Sequence, residues 1–100
     1  MNRNYFDSLL SNGLNDIVII KLCVLLEGIL EADFHYEGEF VEILEKYCSD
    51  NINDYELSSL LHKLRRCRNG IVHPEQSNES ISIDELNQCI DYICTLIDKQ

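Results

Sequence analysis

Apolar positions recur every three or four residues along nearly the whole chain, and nowhere do they alternate long enough to suggest a strand. Tyr5 to Ser11 predicts a short helix or first turns, stopped by the turn pair Asn12-Gly13. Asn15 is placed to cap a long helix running through Ala32. That helix is apolar around most of its circumference, with a narrow polar strip of Asp16, Glu27, Gly28 and Glu31 and with Lys21 at the margin. A helix so apolar needs cover on more than one side, which predicts a bundle core and, beyond it, a dimer surface.

Phe34 to Gly38 breaks the pattern, and Phe40, Val41, Leu44, Tyr47 and Cys48 resume it in a helix from about Glu39 to Cys48. Ser49 to Asp54 reads as a polar turn. The next helix carries Leu57, Leu60, Leu61, Leu64 and Cys67 inward. Pro74 cannot extend it, and Pro74 also pushes His73 away from helical geometry. After a polar connection from Glu75 to Ser80, Ser82-x-x-Glu85 forms a capping-box signature. It opens a last helix with Leu86, Cys89, Ile90, Ile93 and Ile97 on one face. No internal repeat or low-complexity stretch interrupts this order. The expectation is one all-α domain over residues 1–100, built as a four-helix bundle.

With 45% hydrophobic residues the chain can build a core, but one of this size is only marginally stable alone, so pairing with a second copy would help. The apolar run from Ile17 to Leu26 contains Lys21 and leads into Glu27, too short and too charged to span a membrane. The polar start Met1-Asn2-Arg3-Asn4 has no signal-peptide pattern, so a cytoplasmic location is expected. Five cysteines (Cys23, Cys48, Cys67, Cys89, Cys94) show no paired spacing. They read as small core residues in a reducing compartment, and no metal set is expected. Tyrosines and phenylalanines at helical spacings read as packing residues, and Ser58 with His62 as an exposed helix face.

Charge changes the picture more. The net charge of −10 argues against wholesale wrapping of nucleic acid. Yet four of the eight basic residues, Lys63, Arg65, Arg66 and Arg68, lie within one stretch, and no acid falls between His62 and Pro74. This positive island would draw in a phosphate-bearing ligand.

The island runs into Arg68-Asn69-Gly70-Ile71-Val72-His73-Pro74. Arginine is a permanent, forked cation suited to phosphate; histidine exchanges a proton near neutrality. Arg68 shares the apolar face of Leu61 and Leu64, so it must either pair with a buried group, for which Glu27 is the candidate, or look into a cleft. His73 could equally cap the helix end, and Asn69 could cap it through a left-handed conformation. Five positions separate arginine from histidine, roughly 140° around an ideal helix. They meet only if the helix unwinds at Gly70 or if each works with the other's copy across a two-fold axis.

The segment resembles the R-x4–6-H signature of HEPN domains, with asparagine directly after the arginine as in many members. The likeness extends to the order of elements from about Ile17 onward: a long apolar helix with Glu27, a second helix, then an amphipathic helix entering the motif. The resemblance implies a helical two-fold dimer and a metal-independent endoribonuclease without a cofactor, often a toxin or defence effector. It assigns Arg68 and His73 to catalysis, Asn69 and Glu27 to support, and Lys63, Arg65 and Arg66 to RNA binding. Cleavage through the 2′-OH would leave 2′,3′-cyclic phosphate ends. A protein antitoxin or regulator is a further partner the family suggests. One toxin branch carries a tyrosine two positions after the histidine, modified by a nucleotidyltransferase partner; here that position is Glu75.

Two other readings remain open from the sequence. One is a non-catalytic HEPN module that binds a nucleotide or a protein. The other is an acidic inhibitor or DNA mimic, which needs carboxylates arrayed on one face, whereas here they are scattered over every helix.

Overall fold

Five helices follow one another in the computed structural model, which describes residues 3–99: α1 (Arg3–Ser11), α2 (Asn15–Ala32), α3 (Phe40–Asn51), α4 (Tyr55–Val72) and α5 (Ile83–Asp98). Among the described residues there is no strand, so the all-α expectation holds. α1 ends where Asn12-Gly13 predicts. Gly13 takes φ +72°, its N–H donates to Leu10 O (3.0 Å), and the Leu14 N–H donates to Leu9 O (3.0 Å). This is a Schellman end, which requires the positive φ that glycine adopts without strain. The Schellman turn also displaces the expected cap. The N-cap position falls to Leu14, which offers no side-chain acceptor, and Asn15 is already the first helical residue.

α3 begins one residue later than expected and runs three residues longer, taking Ser49 to Asn51 out of the anticipated turn. The reason is tertiary. Asn51 Nδ2 donates to Tyr47 O (3.1 Å) and to the Tyr36 hydroxyl (3.2 Å), which holds the last turn. Tyr36 in turn donates to Asp50 Oδ2 (2.9 Å), and Phe34 packs edge-on against Tyr47 with ring centroids 5.1 Å apart. These contacts fix the α2–α3 loop, which crosses left-handed backbone at His35 (φ 60°) and Gly38 (φ 124°) before delivering Phe40 to the head of α3.

Asp54 caps α4, its Oδ1 accepting from Glu56 N (2.9 Å) and Leu57 N (3.3 Å). The capping box of α5 forms as the sequence predicts: Ser82 Oγ accepts from Glu85 N (3.1 Å), and Ser82 N donates to Glu85 Oε1 (3.0 Å).

α2 lies at the centre and packs on all four other helices; α4 also touches α3 and α5, and α1 touches α5. Leu22, Leu26 and Leu30 of α2, Leu61 and Leu64 of α4, and Leu86, Ile90 and Ile93 of α5 join one continuous core. α1 is part of it through Phe6, which is wholly buried. All five cysteines are free and buried, as expected of small core residues. The Cα radius of gyration of 12.9 Å matches the ~13 Å of a folded chain this long. Among the described residues, no helix is long and apolar enough to cross a membrane.

Candidate functional site: an arginine-lined cleft beside the head of α3

α4 is helical without a break through Gly70 to Val72 and ends at His73, whose φ of −132° and ψ of 81° leave the helix just before Pro74. The chain therefore does not unwind at Gly70. Instead, Gly70 admits the α4–α5 connection at close range: a β-carbon there would lie 2.5 Å from the Ser77 carbonyl oxygen. Because the helix persists, Asn69 keeps helical backbone and forms no left-handed cap; no residue of the motif has positive φ. Its carbonyl accepts the His73 N–H at 2.7 Å.

Arg68 projects toward α3. Its guanidinium carbon lies 5.6 Å from the Phe40 ring centroid, within cation–π range. Its Nε is buried with no hydrogen-bond partner, a donor whose desolvation is uncompensated within the chain. Arg65, Arg68 and Asn69 line a cleft of about 200 Å³ with Glu39, Phe40 and Val41. Neither arginine makes an ion pair among the described residues.

Glu27 does not take the place expected of it. It is half-buried on α2, but no ion pair joins it to Arg68. Both act on the Cys23 thiol. Burial pushes that thiol up to about 12; Arg68 opposes the rise and Glu27 adds to it. The expected salt bridge does not form, because the guanidinium lies over the Phe40 ring at the α3 head. The cleft alternative is the one the fold realises.

The rest of the basic island is divided. Lys63 Nζ lies 3.0 Å from both carboxylate oxygens of Glu85. Arg66 grips Glu79 in a fork, Nε to Oε2 at 2.5 Å and Nη2 to Oε1 at 3.1 Å; the same hydrogen bond holds the Glu79 carboxyl below its usual range. These acids lie 22 and 13 residues along the chain, so a local scan of charge could not pair them. Two of the three predicted RNA-binding cations, Lys63 and Arg66, are thus engaged within the chain.

His73 stands apart. Its side chain is 54% exposed with Nδ1 3.7 Å from Glu75 Oε1, and it does not line the cleft. The fold brings Arg68 and Asn69 together with Arg65; it does not bring His73 to them within one copy.

Four residues enter that the sequence reading passed over. Glu39, Phe40 and Val41, read from the sequence only as the start of a helix, come to the cleft because the α2–α3 loop sets the head of α3 beside α4. His62 was expected on an exposed face, but it is half-buried and accepts from Arg65 Nε (3.4 Å). Burial and the neighbouring arginine favour its neutral form. Its expected neighbour Ser58 instead bonds to the Cys48 thiol. The i, i+3 spacing of His62 and Arg65 was the available signal. Among the described residues, no group of three or more His, Cys, Asp or Glu side chains is arranged to hold a metal ion.

Compared with protein-family models, with curated proteins and with solved structures, the chain matches none.

Proposed function

We propose that this chain is a HEPN-type, metal-independent endoribonuclease acting as a two-fold dimer, with α2 to α5 as the family's four-helix bundle and α1 as an addition. The observation that carries the reading is the cleft: Arg65 and Arg68 lie one helical turn apart, neither in an ion pair among the described residues, beside Phe40 and Glu39 and leading into the R-N-x-x-x-H segment.

In this reading a backbone phosphate of RNA enters between the two arginines. His73 of one copy takes the proton of the ribose 2′-OH, and the oxygen attacks the adjacent phosphorus. The P–O5′ bond breaks, and the second copy's histidine, as imidazolium, returns a proton to the leaving oxygen. Arg68 stabilises charge on the phosphorane as a preorganised donor. Asn69 orients a phosphate oxygen. The toxin or defence role, and a protein antitoxin or regulator as partner, rest on the resemblance.

A second reading, a non-catalytic module binding a nucleotide or protein, is favoured by one specific observation: Lys63 and Arg66 are neutralised by Glu85 and Glu79. Cleavage of labelled RNA in EDTA separates the two. The ribonuclease reading expects cyclic-phosphate ends from wild type and none from folded Arg68→Ala or His73→Ala. Intact RNA with well-folded wild type, over structured and single-stranded substrates, turns the assignment to the binding module.

A further inference from the structure

Two arginines line the cleft, and the fold holds them by different means. Arg68 is fixed by burial of its Nε and by the Phe40 ring. Arg65 depends on His62: its Nε donates to His62 Nδ1 at 3.4 Å, and no other side-chain hydrogen bond or ion pair holds it among the described residues. His62 lies three positions before Arg65 on α4 and outside the R-N-x-x-x-H segment, so helical spacing sets the contact. The bond takes one nitrogen of the guanidinium. Its two terminal nitrogens are left for the cleft, where Arg65 stands with Arg68 and Asn69. An arginine that is free loses much rotamer freedom on gripping an anion; one fixed beforehand loses less.

Only a neutral imidazole with its proton on Nε2 can accept at Nδ1. The charged groups that act on His62 are Arg65 and Arg66 of its own helix and Glu45 of α3. Burial and the two arginines hold its pKa below the usual 6.5, against the pull of Glu45. The acceptor is therefore intact at neutral pH. A proton on Nδ1 removes it, sets a second cation against Arg65, and draws the imidazolium towards Glu45. For an anion in the cleft, the added charge and the lost hold oppose each other. The new charge stands outside the cleft lining and is screened over about 8 Å at physiological salt. The lost hold acts directly on the group that touches the anion, so it is the larger effect.

We infer that His62 is a positioning residue for Arg65: its unprotonated Nδ1 holds the guanidinium by Nε, so that the terminal nitrogens grip a backbone phosphate in the cleft. The ligand named here, an RNA phosphodiester, rests on the ribonuclease reading; the hold on Arg65 does not. The hold is complete above the usual imidazole value of 6.5 and is lost as pH falls below it.

Binding of a short 2′-O-methyl oligouridine to the full chain, at about pH 7.5 and about pH 5 and at fixed salt, tests it. Without a free 2′-OH this probe is not cleaved, and its bases and phosphates keep their charge over that range. Wild type is expected to bind about fivefold more tightly at the higher pH, the worth of one hydrogen bond. His62→Leu, which keeps bulk but offers no acceptor, binds weakly at both. His62→Asn places Oδ1 where Nδ1 stood and does not titrate, so it matches wild type at the higher pH and keeps that affinity at the lower. With Arg65→Ala already present, His62→Leu has no further effect. In wild type itself, the Arg65 Nε–H signal in NMR spectra moves as His62 titrates. Unchanged helical circular dichroism shows that the variants fold. Binding that ignores His62→Leu, a pH dependence that His62→Asn leaves in full, a stationary Arg65 signal, or a wild type that binds none of the probe overturns the assignment. Ordinary RNA left uncleaved, with the binding pattern as expected, upholds His62 and removes the ribonuclease reading. Cleavage by wild type, with binding and KM indifferent to His62→Leu, does the reverse.

Discussion

The carbonyl oxygen of Ser77 lies 2.5 Å from where a β-carbon on Gly70 would stand. The glycine in the middle of the R-N-G-I-V-H segment therefore serves close packing, not flexibility: it lets the α4–α5 connection lie directly on the last turn of α4. In a helix, Gly→Ala ordinarily stabilises by up to about 1 kcal/mol. Here a backbone oxygen blocks the methyl, and overpacking of this kind costs about 1–3 kcal/mol. The clash is the larger effect, so Gly70→Ala is expected to destabilise the protein, with a fall in melting temperature measured by circular dichroism. An unchanged or raised melting point would mean the connection is free to move away.

Arg68 should trade stability against function. Its Nε is buried without a partner, which costs about 1–3 kcal/mol. Arg68→Met keeps an apolar stem on Phe40 and removes the orphaned donor. Urea unfolding should show stability equal to or above wild type, while RNA cleavage or phosphate binding is lost. His73→Ala, at an exposed position, should change stability by only about 0.5 kcal/mol or less.

Alkali should unfold the protein early. Burial pushes the thiols of Cys23 and Cys89 from 9.0 up to about 12, and it raises Tyr47 and Tyr92 as well. A group held protonated in the fold contributes stability that is present below its unfolded pKa and lost as pH rises towards the folded one. For each of these two thiols the loss is about 1.4 kcal/mol per pH unit between pH 9 and 12. The urea midpoint should therefore hold up to about pH 8 and fall as pH rises from 9 towards 12, and the native thiols should resist a thiol reagent at pH 8. Fast labelling of the folded protein at that pH would contradict the burial.

Glu79 and Glu85 hold Arg66 and Lys63 away from any ligand. Glu79→Gln and Glu85→Gln keep hydrogen-bonding groups, including the capping role of position 85, but release the cations. Surface pairs of this kind, half-buried at Lys63–Glu85, contribute only about 1 kcal/mol or less, so folding should barely change. RNA affinity at low salt should rise, with a steeper salt dependence, since more phosphates are neutralised. Filter binding across a salt series measures both; no change in slope would place the island outside the RNA path.

Local periodicity made most of the helices legible. Leu57 to Cys67 and Leu86 to Ile97 fall on single faces, Asn12-Gly13 and Pro74 punctuate, and Ser82 with Glu85 forms its box, all from contacts within a few residues. The motif residues were legible for the same reason, as an unbroken run beside a cluster of cations. Less legible were the boundaries set at a distance. Asn51 stays helical because Tyr36 receives it, and Asn15 loses its cap because a Schellman turn puts Leu14 there.

Sequence by itself determined the helical class, the apolar stripes and the positions of Arg68 and His73, because periodicity and proline act locally along the chain. Only the tertiary structure decided which charges are free. Lys63 and Arg66 meet acids brought from the α4–α5 side, whereas Glu27 and Arg68 on neighbouring helices do not pair. It also decided which face of the apolar α2 the other helices leave open. A side chain's partner across helices depends on crossing direction and on where each long side chain is held, and neither is encoded in its spacing along the chain.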